Sequence, residues 1–342
     1  MFPSLENPGG RFPILGNAPR NMLRSRRMFC LRVIVLGGLL GLGAARADLI
    51  APVKGAITNT AQKLDTLHDD LNVRMQRVTR SLDSFFKRPD APEAISNSTA
   101  RVRLGIKLKD ADGASLQSAF NGKVAMPYAE ERLHLFADNI KRGALPGAED
   151  PTVRDDGVQV GARWWLLNRL RSHIHLEGGI RFHGIPDPFT QLEFEYERKL
   201  AGWVGRFTQD AFYYAKEGAG ELTQVDLERE FRDKSFFRST TAAQYTEETH
   251  GVEFEQTVFY AYPLPGRHRK VIPSASLFAH KCGPFLMDNY RVNVTYRTGF
   301  FRPWMVLELT PQIEFPRERD YTCTPSIVVA LEFWFGSLPE DK

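Results

Sequence analysis

The sequence predicts an all-β protein, a transmembrane antiparallel β-barrel of about fourteen strands preceded by an amphipathic helix. Three observations carry this reading. The stretch Ser326 to Gly336 alternates strictly, with Ile327, Val329, Leu331, Phe333 and Phe335 on one face and Val328, Ala330, Glu332 and Trp334 on the other. A period of two turns one row toward an apolar medium and the other toward a more polar space. From Arg101 onward the same device repeats, an alternating run of about ten residues followed by a turn. Near the start of the chain stands a secretory leader.

Composition narrows the alternatives. Hydrophobic residues make up 42% and charged residues 25%, too polar for a helical membrane bundle. A net charge of +4 makes no appeal to nucleic acid. The 24 Phe and 10 Tyr favour strands and supply the aromatic girdles of barrels. Averaged hydropathy is silent on a barrel, because lipid-facing and lumen-facing residues cancel within any window.

Residues 1–47 read as an N-terminal extension and signal peptide. Residues 1–21 show no periodicity and are either an upstream start or a short extension. Arg24, Arg26 and Arg27 then form a basic region, Val33 to Leu42 an apolar core, and Ala45-Arg46-Ala47 a small-x-small site with cleavage after Ala47. The apolar run is too short to span a membrane comfortably. Residues 48–88 change character. Ile57, Leu64, Leu67, Leu71, Met75, Val78 and Leu82 recur mostly at spacings of three and four, the pattern of an amphipathic helix with coiled-coil-like spacing in its second half. Lys87-Arg88-Pro89 ends it and residues 89–99 form a linker. Its apolar stripe over residues 57–85 suits a homo-oligomer or another partner, packing on the barrel, or a plug.

The barrel occupies residues 100–336, with a tail at 337–342. Arg101 to Lys109 opens it, and Asp112-Gly113 turns into a second strand ending near Met126-Pro127. Leu133 and Leu135 mark the third, and a polar connection, Lys141 to Asp156, leads to Val158 to Leu167. The fifth runs through Ile174 to Phe182 and is turned by Pro186-Asp187-Pro188. Leu192, Phe194 and Tyr196 follow, then Trp203 to Tyr214, the Gly218-Ala219-Gly220 turn, and Val225 and Leu227. Phe237 to Glu247, Val252 to Tyr262, Val271 to His280, Tyr290 to Arg297, Leu307 to Phe315 and the closing strand complete the set. An even number returns both termini to one side. The weak second and eleventh strands leave 12 or 16 open. Cys282 and Cys323 fall in consecutive loops of the opposite end, in an oxidising compartment, and are expected to form a disulfide.

The inward rows carry charge sorted by sign. Glu193, Glu195, Glu197, Asp226, Glu228, Glu253 and Glu255 lie in the middle of the chain, with Arg206 between two acidic rows. Arg101, Arg103, Lys107 and Lys109 are expected to meet Glu332 at the closure, and Arg291 and Arg297 to neighbour Glu308 and Glu314. Such rows form an ion-pair lattice over the interior wall, set the selectivity of a water-filled path, or do both. Catalysis is not indicated. Ser276 and His280 share a face, but four residues of strand separate them by roughly 13 Å, and no G-x-S-x-G signature occurs. His173, His175 and Glu177 share one face, yet two histidines without a third ligand do not make a metal site, so neither metal nor cofactor is expected. Trp164, Trp203, Tyr262, Trp304 and Phe315 read as girdle residues.

Ala201-Gly202-Trp203-Val204-Gly205-Arg206-Phe207-Thr208-Gln209, Phe237 to Ala242 and Leu309 to Glu318 carry a resemblance to a set of proteobacterial outer-membrane barrel proteins of uncharacterised role. The closing strand likewise resembles the aromatic-ended last strand of outer-membrane barrels. The resemblance implies an outer-membrane location with the helix in the periplasm. Outer-membrane lipid, and the barrel-assembly machinery acting through the C-terminal strand, are the partners it implies. The expected function is a passive channel or transport barrel. The alternatives are an envelope-organising barrel acting through its helix and, more remotely, a rim-sited lipid-modifying enzyme.

Overall fold

The computed structural model describes residues 98–109, 113–125, 133–138 and 158–336 apart from 184 and 249, together with helical residues 65, 66, 68–74, 76 and 77. The leader with its cleavage point at Ala47, the rest of the helix, most of the linker, the connection Lys141 to Asp156 and the tail lie outside the described residues. The first strands are β1 (Thr99–Lys109), β2 (Gly113–Ala125), β3 (Leu133–Asp138), β4 (Val158–Asn168) and β5 (Ser172–His183). Next come β6 (Ile185–Leu200), β7 (Trp203–Tyr214), β8 (Gly218–Glu230), β9 (Phe236–Thr246) and β10 (Gly251–Pro263). The set ends with β11 (Lys270–Lys281), β12 (Phe285–Gly299), β13 (Met305–Pro316) and β14 (Thr324–Gly336).

Each strand pairs with its chain neighbour, and β1 pairs antiparallel with β14 from Thr99↔Gly336 to Lys109↔Ser326. The sheet is therefore a closed barrel of fourteen strands, and closure removes the unpaired edges that a sheet cannot leave in lipid. Period-two geometry sorts the side chains. On β1, Leu104 is 53% exposed while its neighbour Arg103 is 6% exposed. Ile106 and Leu108 are likewise exposed, and Arg101 and Lys107 buried. Apolar side chains outside and charged ones inside invert a soluble protein, so the outer surface fits hydrocarbon.

Local chemistry sets the turns. Ala201 and Gly202, at φ 46° and 85°, make the two-residue link between β6 and β7. Two positive φ values match the right-handed twist of the flanking strands. Gly161 and Gly179 face each other across β4 and β5. A Cβ on Gly179 would sit 2.2 Å from the Val160 carbonyl oxygen, so only glycine permits this approach.

One expectation is corrected. Pro186-Asp187-Pro188 does not turn the chain but lies inside β6, whose first residue is Ile185. Asp187 is drawn onto the wall because Arg181 Nη2 donates to its Oδ2 at 2.7 Å. Cys282 stands exposed just past the end of β11. Its Sγ lies over Gly251, where an added Cβ would be 2.1 Å away.

Candidate functional site

The interior wall begins at the closure, where long basic side chains of β1 meet carboxylates two strands away. Cα register sets Arg103 opposite Glu332, but its Nε donates to Glu308 Oε2 on β13 at 2.6 Å. Lys107 passes over β14 in the same way to reach Glu314 Oε1 at 3.1 Å. The crossing is possible because β14 turns only Ser326, Val328 and Ala330 inward at these levels. Small side chains leave room for neighbours to span about two strand spacings of 4.7–4.9 Å each. From the other side Arg297 Nη2 donates to Glu332 Oε1 at 2.6 Å, and its Nε lies 3.1 Å from Glu308. Arg291 Nε donates to Glu314 at 3.1 Å. Arg101 stands 3.9 Å from Glu332, and Lys109 3.9 Å from Glu314. This arc is tightly packed and predominantly basic.

Across the barrel the wall is acidic. Arg206 on β7 spans Glu195 at 3.1 Å, Glu197 at 3.4 Å and Glu228 at 3.1 Å. Arg238 Nη2 shares Glu228 at 2.5 Å. Asp226 accepts from Thr240 and Gln224 rather than from a cation. Glu193 is buried beside His175, and Glu253 and Glu255 stand half-buried on β10.

Arg163, Arg181, Arg238, Asp187 and Glu217 are missed by reading charge clusters alone, whereas His175 and Glu177 already share one face in the sequence. Arg163 pairs with Glu177, His175 Nε2 lies 3.1 Å from the same carboxylate, and Arg181 joins Asp187 to Glu217. Strand parity marks Arg163 and Arg238 as inward once the neighbouring register is known. An aromatic cluster is also unforeseen. Phe136, Phe189, Phe212 and Tyr214 pack together inside the wall of β3, β6 and β7. Phe136 and Phe212 lie over Gly161 and Gly220, where an added Cβ would be 3.1 Å and 2.3 Å from their rings. Aromatic rings of this kind cover the gaps that the glycines leave in the wall.

The other sequence candidates fall apart. His173 bonds Asn168 at 2.8 Å, away from the His175–Glu177 pair. Among the described residues no group of three or more His, Cys, Asp or Glu is arranged to hold a metal. Ser276 accepts from Thr257 at 2.8 Å and His280 pairs with Asp288 at 2.6 Å, so no Ser–His bond forms between them. Trp164 and Tyr262 are exposed on the outer surface, but Trp304 departs from the girdle and is buried.

What buries Trp304 is a docked helix. The His68 ring stacks on Trp304 at 4.2 Å and on Phe335 at 5.1 Å. His68 Nε2 lies 2.9 Å from the Trp334 carbonyl, and Asn72 Oδ1 accepts from the Gly336 N–H at 2.9 Å. Arg302 grips Asp65 through two bonds of 2.7 and 2.5 Å. These contacts lie at the rim of β13 and β14, not in the bore.

No family model and no curated protein matches the chain. Among solved structures it is similar to a loop L8 deletion mutant of OmpT, an outer membrane protein of Vibrio cholerae. That match has 8% identity, a TM-score of 0.43, and covers 70% of this chain and 99% of that one. The outer membrane channel DcaP of Acinetobacter baumannii matches at 9% identity and TM-score 0.43, over 70% and 97%. An anion-selective porin from Comamonas acidovorans matches at 9% and 0.43, over 71% and 100%. Such distant likeness carries no argument about function. The lumen must speak for itself.

Proposed function

We propose that the chain is an outer-membrane channel through which small polar solutes diffuse passively, with cations preferred. The observation that carries this is the uneven accessibility of the two arcs. The guanidinium side chains of Arg101, Arg103, Arg291 and Arg297 are only 4–8% exposed and engaged by carboxylates. Glu195 and Glu197 keep 29% of their side chains open, and Glu253 and Glu255 share that side of the bore. An ion entering meets carboxylates first, and focused negative charge favours cations. Barrel diameter grows with strand number, from side-chain-filled at about eight strands to an aqueous channel at about sixteen. Fourteen strands lie near the open end of that range.

The test is the reversal potential of the mature protein in planar bilayers under a KCl gradient. Cation selectivity, weakened when Glu253 and Glu255 are both changed to Gln, is expected. Silence from a folded barrel, or anion selectivity unmoved by the substitutions, would sink the proposal.

A second reading draws on the helix. Leu71 and Val73 remain exposed on opposite flanks of the edge by which Asp65, His68 and Asn72 hold the rim, so the helix keeps apolar side chains open to a second copy or a periplasmic partner. The two readings are compatible, because the contacts of Asp65, His68 and Asn72 are with the rim of the barrel. Export through a leader cleaved after Ala47 and insertion by the barrel-assembly machinery through β14 complete the proposal.

A further inference from the structure

At the same rim as the chain termini, the link between β10 and β11 meets the link between β12 and β13. The Gly299 N–H donates to the Arg267 carbonyl at 2.9 Å and joins them. Between the two lies a cavity of about 370 Å³ lined by Gly266, Arg267, Arg269, Thr298, Gly299 and Phe301. Gly266 adopts φ 120°, and a Cβ there would strike Arg269 Cδ at 2.7 Å, so the glycine lets the arginine stem fold along the cavity.

The cavity is cationic. Arg269 makes only long bonds, to Thr298 Oγ1 and to the Pro265 carbonyl, each 3.4 Å. Among the described residues no carboxylate pairs with Arg267 or Arg269, whereas Arg302 nearby is occupied by Asp65. Two guanidinium forks and a hydroxyl around one cavity match a phosphate ester, which accepts several charge-assisted bonds at once. The cavity also faces lipid rather than the bore. Arg269 and Thr298 lie in the outward rows, Thr298 opposite Leu307, and Tyr262 and Val294 are exposed in those rows. Phe300 and Phe301 are exposed beside it, at the level where aromatic side chains meet headgroups.

We propose that this cavity binds the phosphate of a phospholipid headgroup, with the acyl chains lying down the outward rows of β10 to β12. The probe is phosphatidylglycerol added to the full mature barrel in a sugar detergent, read by native mass spectrometry. One retained lipid per barrel is expected. Arg267→Gln with Arg269→Gln should weaken retention by on the order of tenfold or more, and the corresponding Lys pair by less, since charge persists without the fork. Folding of each variant is verified by heat-modifiable migration. If the double variant fails to fold, the single Arg267→Gln and Arg269→Gln variants carry the comparison. Unchanged retention in every folded variant overturns the site. Displacement of the lipid by excess inorganic phosphate overturns its assignment to lipid and makes it a site for free anions.

Discussion

Glu308 shows what a single interior residue carries. Its carboxylate sits at 1% exposure between the guanidinium groups of Arg103 and Arg297. Removing one partner of a buried pair leaves uncompensated charge, at a cost of about 3–5 kcal/mol. Glu308→Ala is therefore expected to lower the unfolding free energy by that amount in a urea titration. A change below about 1 kcal/mol would mean that water already reaches both arginines. Gly179→Ala tests a different kind of constraint. Its Cβ would overlap the Val160 carbonyl oxygen and the Gly161 Cα, both backbone atoms that cannot swing away. Overpacking of this kind costs about 1–3 kcal/mol or more, so the variant is expected to yield less heat-modifiable, folded protein than the wild type. The same substitution at Gly113, where nothing lies within 4 Å, meets no neighbour, although its φ of 78° adds some strain.

At the scale of the element, the helix is held by its polar edge. The apolar stripe through Leu71 runs beside this edge, which is why periodicity alone does not reveal the docking face. Asp65 is held below its ordinary value of 3.8, chiefly by the hydrogen bonds from Arg302. Docking thus favours the ionised carboxylate, so the contact contributes fully above that value and is lost as acid carries the pH down through the docked one. A spin label at position 76, in a variant whose other cysteines are serine, is expected to stay immobile from about pH 7 to 5 and loosen below about 3.8. In Arg302→Gln the label should be more mobile and its acid response absent. An unchanged acid response there would assign the pH dependence to another group.

At the scale of the whole molecule, the two charged arcs and the rim-docked helix lead to one expectation. Deleting residues 48–97 should leave single-channel conductance essentially unaltered, because Asp65, His68 and Asn72 dock on the rim. Conductance that appears only after deletion would make the N-terminal region a plug. The lattice itself should resist salt more than exposed ion pairs do, since buried pairs are screened less. Heat-modifiable migration compared across ionic strengths checks this.

Period-two alternation and the turn residues pointed to about fourteen strands, with 12 or 16 left open, and to an apolar exterior, because a strand's side-chain directions follow from its own backbone. Closure of β1 on β14 set the number at fourteen. Which cation meets which carboxylate was decided only by closure. Arg103 and Glu308 are far apart in sequence and separated by β14, and their contact depends on stagger and on the small inward side chains of Val328 and Ala330. The same holds for Asp187, pulled into the wall by Arg181 when its flanking prolines suggested a turn. Likewise the helix was legible as a helix, but its partner was not. His68 lies between Trp304 and Phe335 because the barrel brings the last hairpin to the rim, and no local pattern in residues 65–77 encodes that meeting.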